Sequence, residues 1–146
     1  MSVNRRKLGN RLTRSGFTLI ELLVVLTILG LLAGLVGPRV LKYLGSAKSD
    51  TAELQIAEFA VGLDLFRLEV GRYPTTEEGL TALVVEPTGV PNWQGPYFKK
   101  NTIPADPWGH SYRYQSPGEY GDYDLFSLGR DNADGGDGED QDILSW

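Results

Sequence analysis

Two sets of carboxylates in this chain stand where their chemistry calls for a partner. Six acids fall between residues 131 and 142: Asp131, Asp134, Asp137, Glu139, Asp140 and Asp142. No base lies inside that stretch, and four glycines are spread through residues 128–143. Glycine permits tight turns with positive φ, so carboxylates and carbonyl oxygens can converge on one point. A hard cation such as Ca²⁺ takes about 6–8 oxygens of these kinds. The competing reading is a solvated, flexible acidic tail. Against it, Ile143, Leu144 and Trp146 follow the acids and read as anchors. The second set is a single residue. Glu21 is the one charge in an apolar run covering residues 17–37. A carboxylate inside a lipid-spanning helix costs about 2.5–3.5 kcal/mol on insertion scales. It either snorkels to the nearby membrane surface or finds a cation. The run holds no cation, so a partner must come from another copy of the chain or from an amine created by cleavage nearby.

Other chemistries are poorly supplied. The chain has no cysteine, which removes disulfides, thiolate metal sites and a cysteine nucleophile. Its single histidine, His110, rules out multi-histidine metal sites and reads as a turn or surface residue. There is no P-loop. Asp122 and Asp124 alternate around Tyr123, as an acid pair on one strand face would, but so small a body offers little cleft for a hydrolase. An EF-hand started at Asp131 fails, with Ala133 at its third position and Gly135 at its fifth. The calcium-binding β-roll nonapeptide fits Gly135 to Asp140, but its apolar position falls on Asp142 and only one copy is present.

The 146 residues have room for one small domain. The net charge of −5 hides an asymmetry: residues 1–16 hold Arg5, Arg6, Lys7, Arg11 and Arg14 and no acid. Removing those five from the fourteen basic residues leaves nine against nineteen acids, a net −10. An acidic body is repelled by phosphate backbones, which argues against a nucleic-acid partner. The 21-residue apolar run would span about 31 Å as a helix, one bilayer core. It is longer than the core of an ordinary secretory signal and no Ala-x-Ala follows it, so it reads as a membrane anchor. The basic residues before it place the N-terminus in the cytoplasm and the acidic body outside.

The helical pattern continues beyond the bilayer. Ile56, Phe59, Leu63, Phe66 and Val70 recur at helical spacing. Gly71 and Pro74 form a stop signal, so residues 17–70 read as one helix, about 80 Å if unbroken. Gly30, Gly34, Gly37, Pro38 and Gly45 weaken it. A short helix capped by threonine is expected from Thr75 to about Val84. A loop rich in Pro and Gly follows, in which Trp93, Tyr97 and Phe98 fold back as core anchors. Asp106-Pro107-Trp108-Gly109 reads as a turn, and residues 110–115 and 120–128 as two antiparallel strands. The fold class is α+β: a long N-terminal helix packed on a small domain with a short helix, a long loop and a small antiparallel sheet.

The segment Arg14-Ser15-Gly16-Phe17-Thr18-Leu19-Ile20-Glu21 resembles the type IV prepilin signal, with basic leader, glycine, aromatic residue, glutamate and apolar span all in place. The body resembles the major pseudopilins of type II secretion systems over nearly the whole chain. That likeness rests on Gly71-Arg72-Tyr73-Pro74-Thr75-Thr76-Glu77-Glu78-Gly79-Leu80, Asp106-Pro107-Trp108-Gly109, Tyr123-Asp124-Leu125-Phe126-Ser127-Leu128-Gly129, and Gly135-Gly136 before Asp142-Ile143 and Trp146. The resemblance implies a pilin-like fold in three parts: a cleaved leader 1–16, a transmembrane helix half 17–37, and a periplasmic domain 38–146 with an acidic calcium loop 128–143. It implies cutting between Gly16 and Phe17 by a prepilin peptidase, N-methylation of Phe17, and a role for Glu21 in assembly. It implies Ca²⁺ in the C-terminal loop, held by Asp131, Asp142 and the Leu128 carbonyl, with Asp140 as a further ligand.

The function so implied is structural and not enzymatic. The chain would cross the bacterial inner membrane once and polymerise with itself into a periplasmic pseudopilus that moves folded proteins across the outer membrane. Its other partners would be minor pseudopilins, an inner-membrane assembly platform with a cytoplasmic ATPase, and membrane lipid before assembly. Two alternatives remain beside it: a type IV pilus subunit for adhesion or motility, and a membrane-tethered calcium-binding module that never polymerises. Many type IV pilins staple the C-terminal region with a disulfide, which this chain cannot form, and that favours the pseudopilin.

Overall fold

The computed structural model describes residues 16–146; the rest of the expected leader, residues 1–15, lies outside the described residues. The chain divides into two compact units, one up to Arg39 and one from Val40 to Trp146.

One helix, α1, runs from Leu19 to Val70. It agrees with the expected 17–70 to within two residues and carries Pro38 inside it. In the first unit the helix is apolar and exposed all round, with a mean hydropathy of 2.7 over its most apolar window. That makes it long and apolar enough to cross a membrane. In the second unit α1 is amphipathic. Ala52, Ile56, Phe59, Leu63 and Phe66 are buried, as their spacing requires, and the helix ends before Gly71 at φ +89°.

The expected helix from Thr75 is instead a turn followed by a single 3₁₀ turn, Leu80–Leu83. The turn that precedes it is closed by a reciprocal capping box: the Glu78 amide donates to Thr75 Oγ1 at 3.2 Å and the Thr75 amide to Glu78 Oε2 at 2.8 Å. Arg72 forks onto the same carboxylate at 2.7 Å, which holds the Glu78 carboxyl below its usual range. Trp93, Tyr97 and Phe98 return to the core as expected. Phe98 stacks on Phe59 with centroids 5.1 Å apart, and the Trp93 indole donates to the Ala82 carbonyl.

The sheet is antiparallel, in the order β1 (Arg113–Gln115), β2 (Asp124–Ser127), β3 (Ile143–Leu144), with Tyr114 opposite Leu125 and Ser127 opposite Ile143. The first two strands are shorter than the sequence pattern suggests, because side chains take up the neighbouring amides. Asp106 Oδ1 accepts the His110 amide, and the two oxygens of Asp124 accept those of Glu119 and Tyr120. Tyr112 packs edge-on against Phe59, and Tyr114, two residues on, donates to the Pro74 carbonyl. Burial pushes the Tyr114 and Tyr123 phenols up to about 12, so at neutral pH they are donors and not bases. The third strand, only two residues long, has no alternating pattern of its own in the sequence. Ile143 is its core anchor, whereas Trp146 is about half exposed and stacks on Tyr120 at 4.7 Å.

Candidate functional site

At the N-terminal end, Gly16, Phe17 and Thr18 precede α1 in non-helical conformation and are exposed. An atom added at Gly16 Cβ meets nothing within 4 Å. Thr18 caps the helix: its Oγ1 accepts the Glu21 amide at 3.2 Å and its carbonyl accepts the Leu22 amide. Glu21 therefore lies in the first turn of α1, is exposed, and has no ion pair among the described residues. A carboxylate there interacts favourably with the helix dipole.

The acidic segment is a folded loop leading into β3. A buried polar network holds its base. Asp106, 5% exposed, accepts the Trp108 and His110 amides through Oδ1 and the Ser127 hydroxyl through Oδ2 at 2.6 Å. Ser127 Oγ accepts the Gly129 amide, and His110 Nδ1 lies 3.1 Å from the Gly129 carbonyl. His110 is thus a half-buried brace for the loop. Gly129 adopts φ +64°, and a Cβ there would lie 2.8 Å from the Glu139 carbonyl oxygen and 2.9 Å from that of Gln141. Only glycine lets these two backbones approach so closely. Ser127→Ala would leave the Gly129 amide and one Asp106 oxygen without their partner in a dry site. A stability loss of about 1–3 kcal/mol is expected by urea denaturation of the detergent-solubilised chain.

Four of the six acids have partners within the loop or the core, and Asp134 and Asp137 are exposed. Glu139 lies against Gly45 of α1 and within 3.5 Å of the Trp108 indole nitrogen. Asp140 receives a fork from Arg130, Nε to Oδ1 at 2.8 Å and Nη2 to Oδ2 at 2.9 Å, and Arg130 Nη1 also lies 3.8 Å from Glu139. Arg130 sits one residue outside the acidic run, so the pattern of charge along the sequence does not single it out. Asp131 Oδ1 accepts the Ala133 amide and Asp142 Oδ2 the Gly135 amide. Asp142 Oδ1 is buried with no hydrogen-bond partner. Among the described residues, no three His, Asp or Glu side chains converge as a metal-holding group. A metal here would therefore draw on main-chain carbonyls as well as carboxylates. That donor set, together with an orphaned buried carboxylate oxygen, fits a hard cation such as Ca²⁺.

The Asp122–Asp124 pair has no catalytic arrangement. Asp124 is buried with both oxygens occupied by backbone amides, and Asp122 pairs with Arg67 at 2.8 Å on the surface.

A long N-terminal helix joined to a small antiparallel sheet defines a pilin-like protein. The solved major pseudopilin of the type 2 secretion system of enterohaemorrhagic Escherichia coli aligns with it at TM-score 0.57 and 36% identity, over 69% of this chain and 88% of that one. Residues 39–146 match the family described as type II secretion system protein G, and residues 11–37 match the prokaryotic N-terminal methylation motif. The type II secretion system core protein G of Pseudomonas aeruginosa is 47% identical over 93% of this chain and 97% of its own length. That of Vibrio cholerae is 43% identical over 91% and 92%. The chain belongs to the type II secretion system protein G family.

Proposed function

We propose that the chain is a structural subunit that polymerises into the periplasmic pseudopilus of a type II secretion system and so drives export of folded proteins across the outer membrane. One observation carries this reading. A methylation motif over residues 11–37 leads directly into a protein G region over residues 39–146, and together they fill nearly the whole chain. The test is electron microscopy of cells overexpressing the chain, with secretion assayed in a strain lacking it. Filaments and restored secretion are expected; a chain that stays unpolymerised and leaves secretion unrestored would sink the reading.

Before assembly the apolar first part of α1 crosses the inner membrane once. The basic leader stays cytoplasmic and the acidic domain enters the periplasm. A prepilin peptidase cuts between Gly16 and Phe17, and Phe17 is N-methylated. Glu21 pairs with the new amine during assembly. Minor pseudopilins and an inner-membrane platform with its ATPase complete the machine.

The C-terminal loop holds Ca²⁺ through the Asp131 and Asp142 carboxylates and the Leu128 carbonyl, and the buried unpartnered oxygen of Asp142 supports this. When bound, the ion would offset repulsion among the acids and keep the loop closed. The full-length chain in detergent should melt higher with Ca²⁺ than with chelator, by about 2.7 kcal/mol at a hundredfold excess over Kd. Mg²⁺ should substitute poorly, because it demands compact octahedral sites. Asp142→Ala should abolish the gain. Identical melting curves would return the segment to an acidic surface loop.

A further inference from the structure

We propose that Arg130 is an internal counter-ion that takes Asp140 out of the metal site, so that the acidic loop consists of an arginine-held clasp and a separate two-carboxylate calcium site. This inference rests on the calcium reading above.

The clasp is built from both ends of the loop. The Arg130 amide donates to the Glu139 carbonyl at 2.8 Å, and the Gly129 backbone lies against the carbonyls of Glu139 and Gln141. This pairing puts Arg130 in register with Glu139 and Asp140. Its guanidinium then spans both oxygens of Asp140 at 2.8 and 2.9 Å. A fork of this kind is the strongest geometry for arginine and a carboxylate; it engages both oxygens and neutralises the charge that would draw a metal. Glu139 is committed as well, to Gly45, Trp108 and the edge of the same guanidinium.

The remaining loop carboxylates, Asp131, Asp134, Asp137 and Asp142, make no ion pair among the described residues, although Arg130 feels the charge of its neighbour Asp131. Asp131 and Asp142 each accept one backbone amide, and Asp142 keeps one buried oxygen with no partner. Two carboxylates balance a divalent cation; Asp134 and Asp137 are exposed to solvent, and Arg130 has already neutralised the half-buried Asp140. Arg130 is a positioning residue in this scheme: it decides which acids the cation meets without touching the cation itself. The clasp also needs no metal, so removing Ca²⁺ should free the tip around Asp131–Gly136 while the Arg130–Glu139 contact stays closed.

The test is calcium calorimetry on the detergent-solubilised full chain, paired with hydrogen exchange at the Arg130 amide in chelator. With Arg130 present, Asp140→Asn should change Kd less than about threefold, while Asp142→Asn weakens it by well over tenfold. Arg130→Gln should tighten binding, and in that background Asp140→Asn should remove the gain, because Asp140 has then joined the ligands. In chelator, Arg130→Gln should speed exchange at residue 130 even though no metal is bound. If Asp140→Asn weakens calcium binding as much as Asp142→Asn while Arg130 is in place, the inference is overturned and the calcium reading stands. If the wild-type chain binds no Ca²⁺, both are overturned.

Discussion

Replacing Gly16 by valine is expected to leave the chain uncut and still inserted in the membrane. Gly16 and Phe17 lie outside α1, in exposed backbone that a peptidase can reach without unwinding a helix. A side chain at Gly16 meets nothing within 4 Å in this fold. The substitution therefore disturbs no packing within the described residues, and any defect must arise at the enzyme that approaches this bond. Displacing a scissile backbone by about 1 Å from attack geometry costs about a hundredfold in rate. A β-branched side chain flanking the bond is sufficient for that displacement. Intact-mass analysis of membrane protein should show loss of residues 1–16 and gain of a methyl group in the wild-type chain, and the full unmodified mass in Gly16→Val. Normal maturation of the variant, or a wild-type N-terminus other than Phe17, would refute the assignment of this bond.

The difference between what the sequence reveals and what it conceals follows from the range of each interaction. α1 is legible because its determinants are local. The apolar run, the spacing of Ile56, Phe59, Leu63 and Phe66, and the Gly71 stop all act within a few turns of one another. The threonine cap at Thr75 is legible for the same reason, since its partner Glu78 lies three residues on, but the helix expected to follow it shrinks to a turn and one 3₁₀ turn. β3 is not, because Ile143–Leu144 becomes a strand only by adding to an edge of β2 that is itself defined elsewhere. The loop shows both cases. The acids are visible as a run of charge, and the wish for a cation follows from Coulomb repulsion. Their division into two groups depends on Arg130 meeting Asp140 ten residues away, and on Glu139 reaching Gly45. The Asp106 network had a signal that could have been used. An aspartate opening a turn ties down the amides two and four residues on, which Asp106 does for Trp108 and His110. Its further bond to Ser127 crosses twenty-one residues and has no local signature.

Glu21→Ala should insert at least as well as the wild-type chain and yet fail to build filaments. The helix dipole acting on a first-turn carboxylate is worth about 0.3–1 kcal/mol, whereas an acid at the centre of a lipid-spanning helix costs roughly 2.5–3.5 kcal/mol, a cost that eases towards the membrane surface without becoming a gain. Thr18 does not help, because it bonds the Glu21 amide and leaves the carboxylate unengaged. Insertion alone therefore gives no reason to hold an acid there, and removing it should ease entry into the bilayer. The reason must lie in the assembled state. Cutting after Gly16, as proposed, would create an amine on Phe17, four residues before Glu21 and at the same end of α1. In a filament whose helices pack side by side, the amine of one subunit can meet the carboxylate of its neighbour in a low-dielectric setting. Alanine then strands the amine, at a cost of about 3–5 kcal/mol per interface. That amounts to at least two orders of magnitude in each addition step, compounded along the filament. Electron microscopy and sedimentation of sheared filaments measure the outcome, with intact mass showing that Glu21→Ala is still cut and methylated. Filaments of normal number and length from that variant would rule out the pairing as a requirement for assembly. Rescue by Glu21→Asp but not by Glu21→Gln would show that assembly depends on the charge and not on side-chain volume.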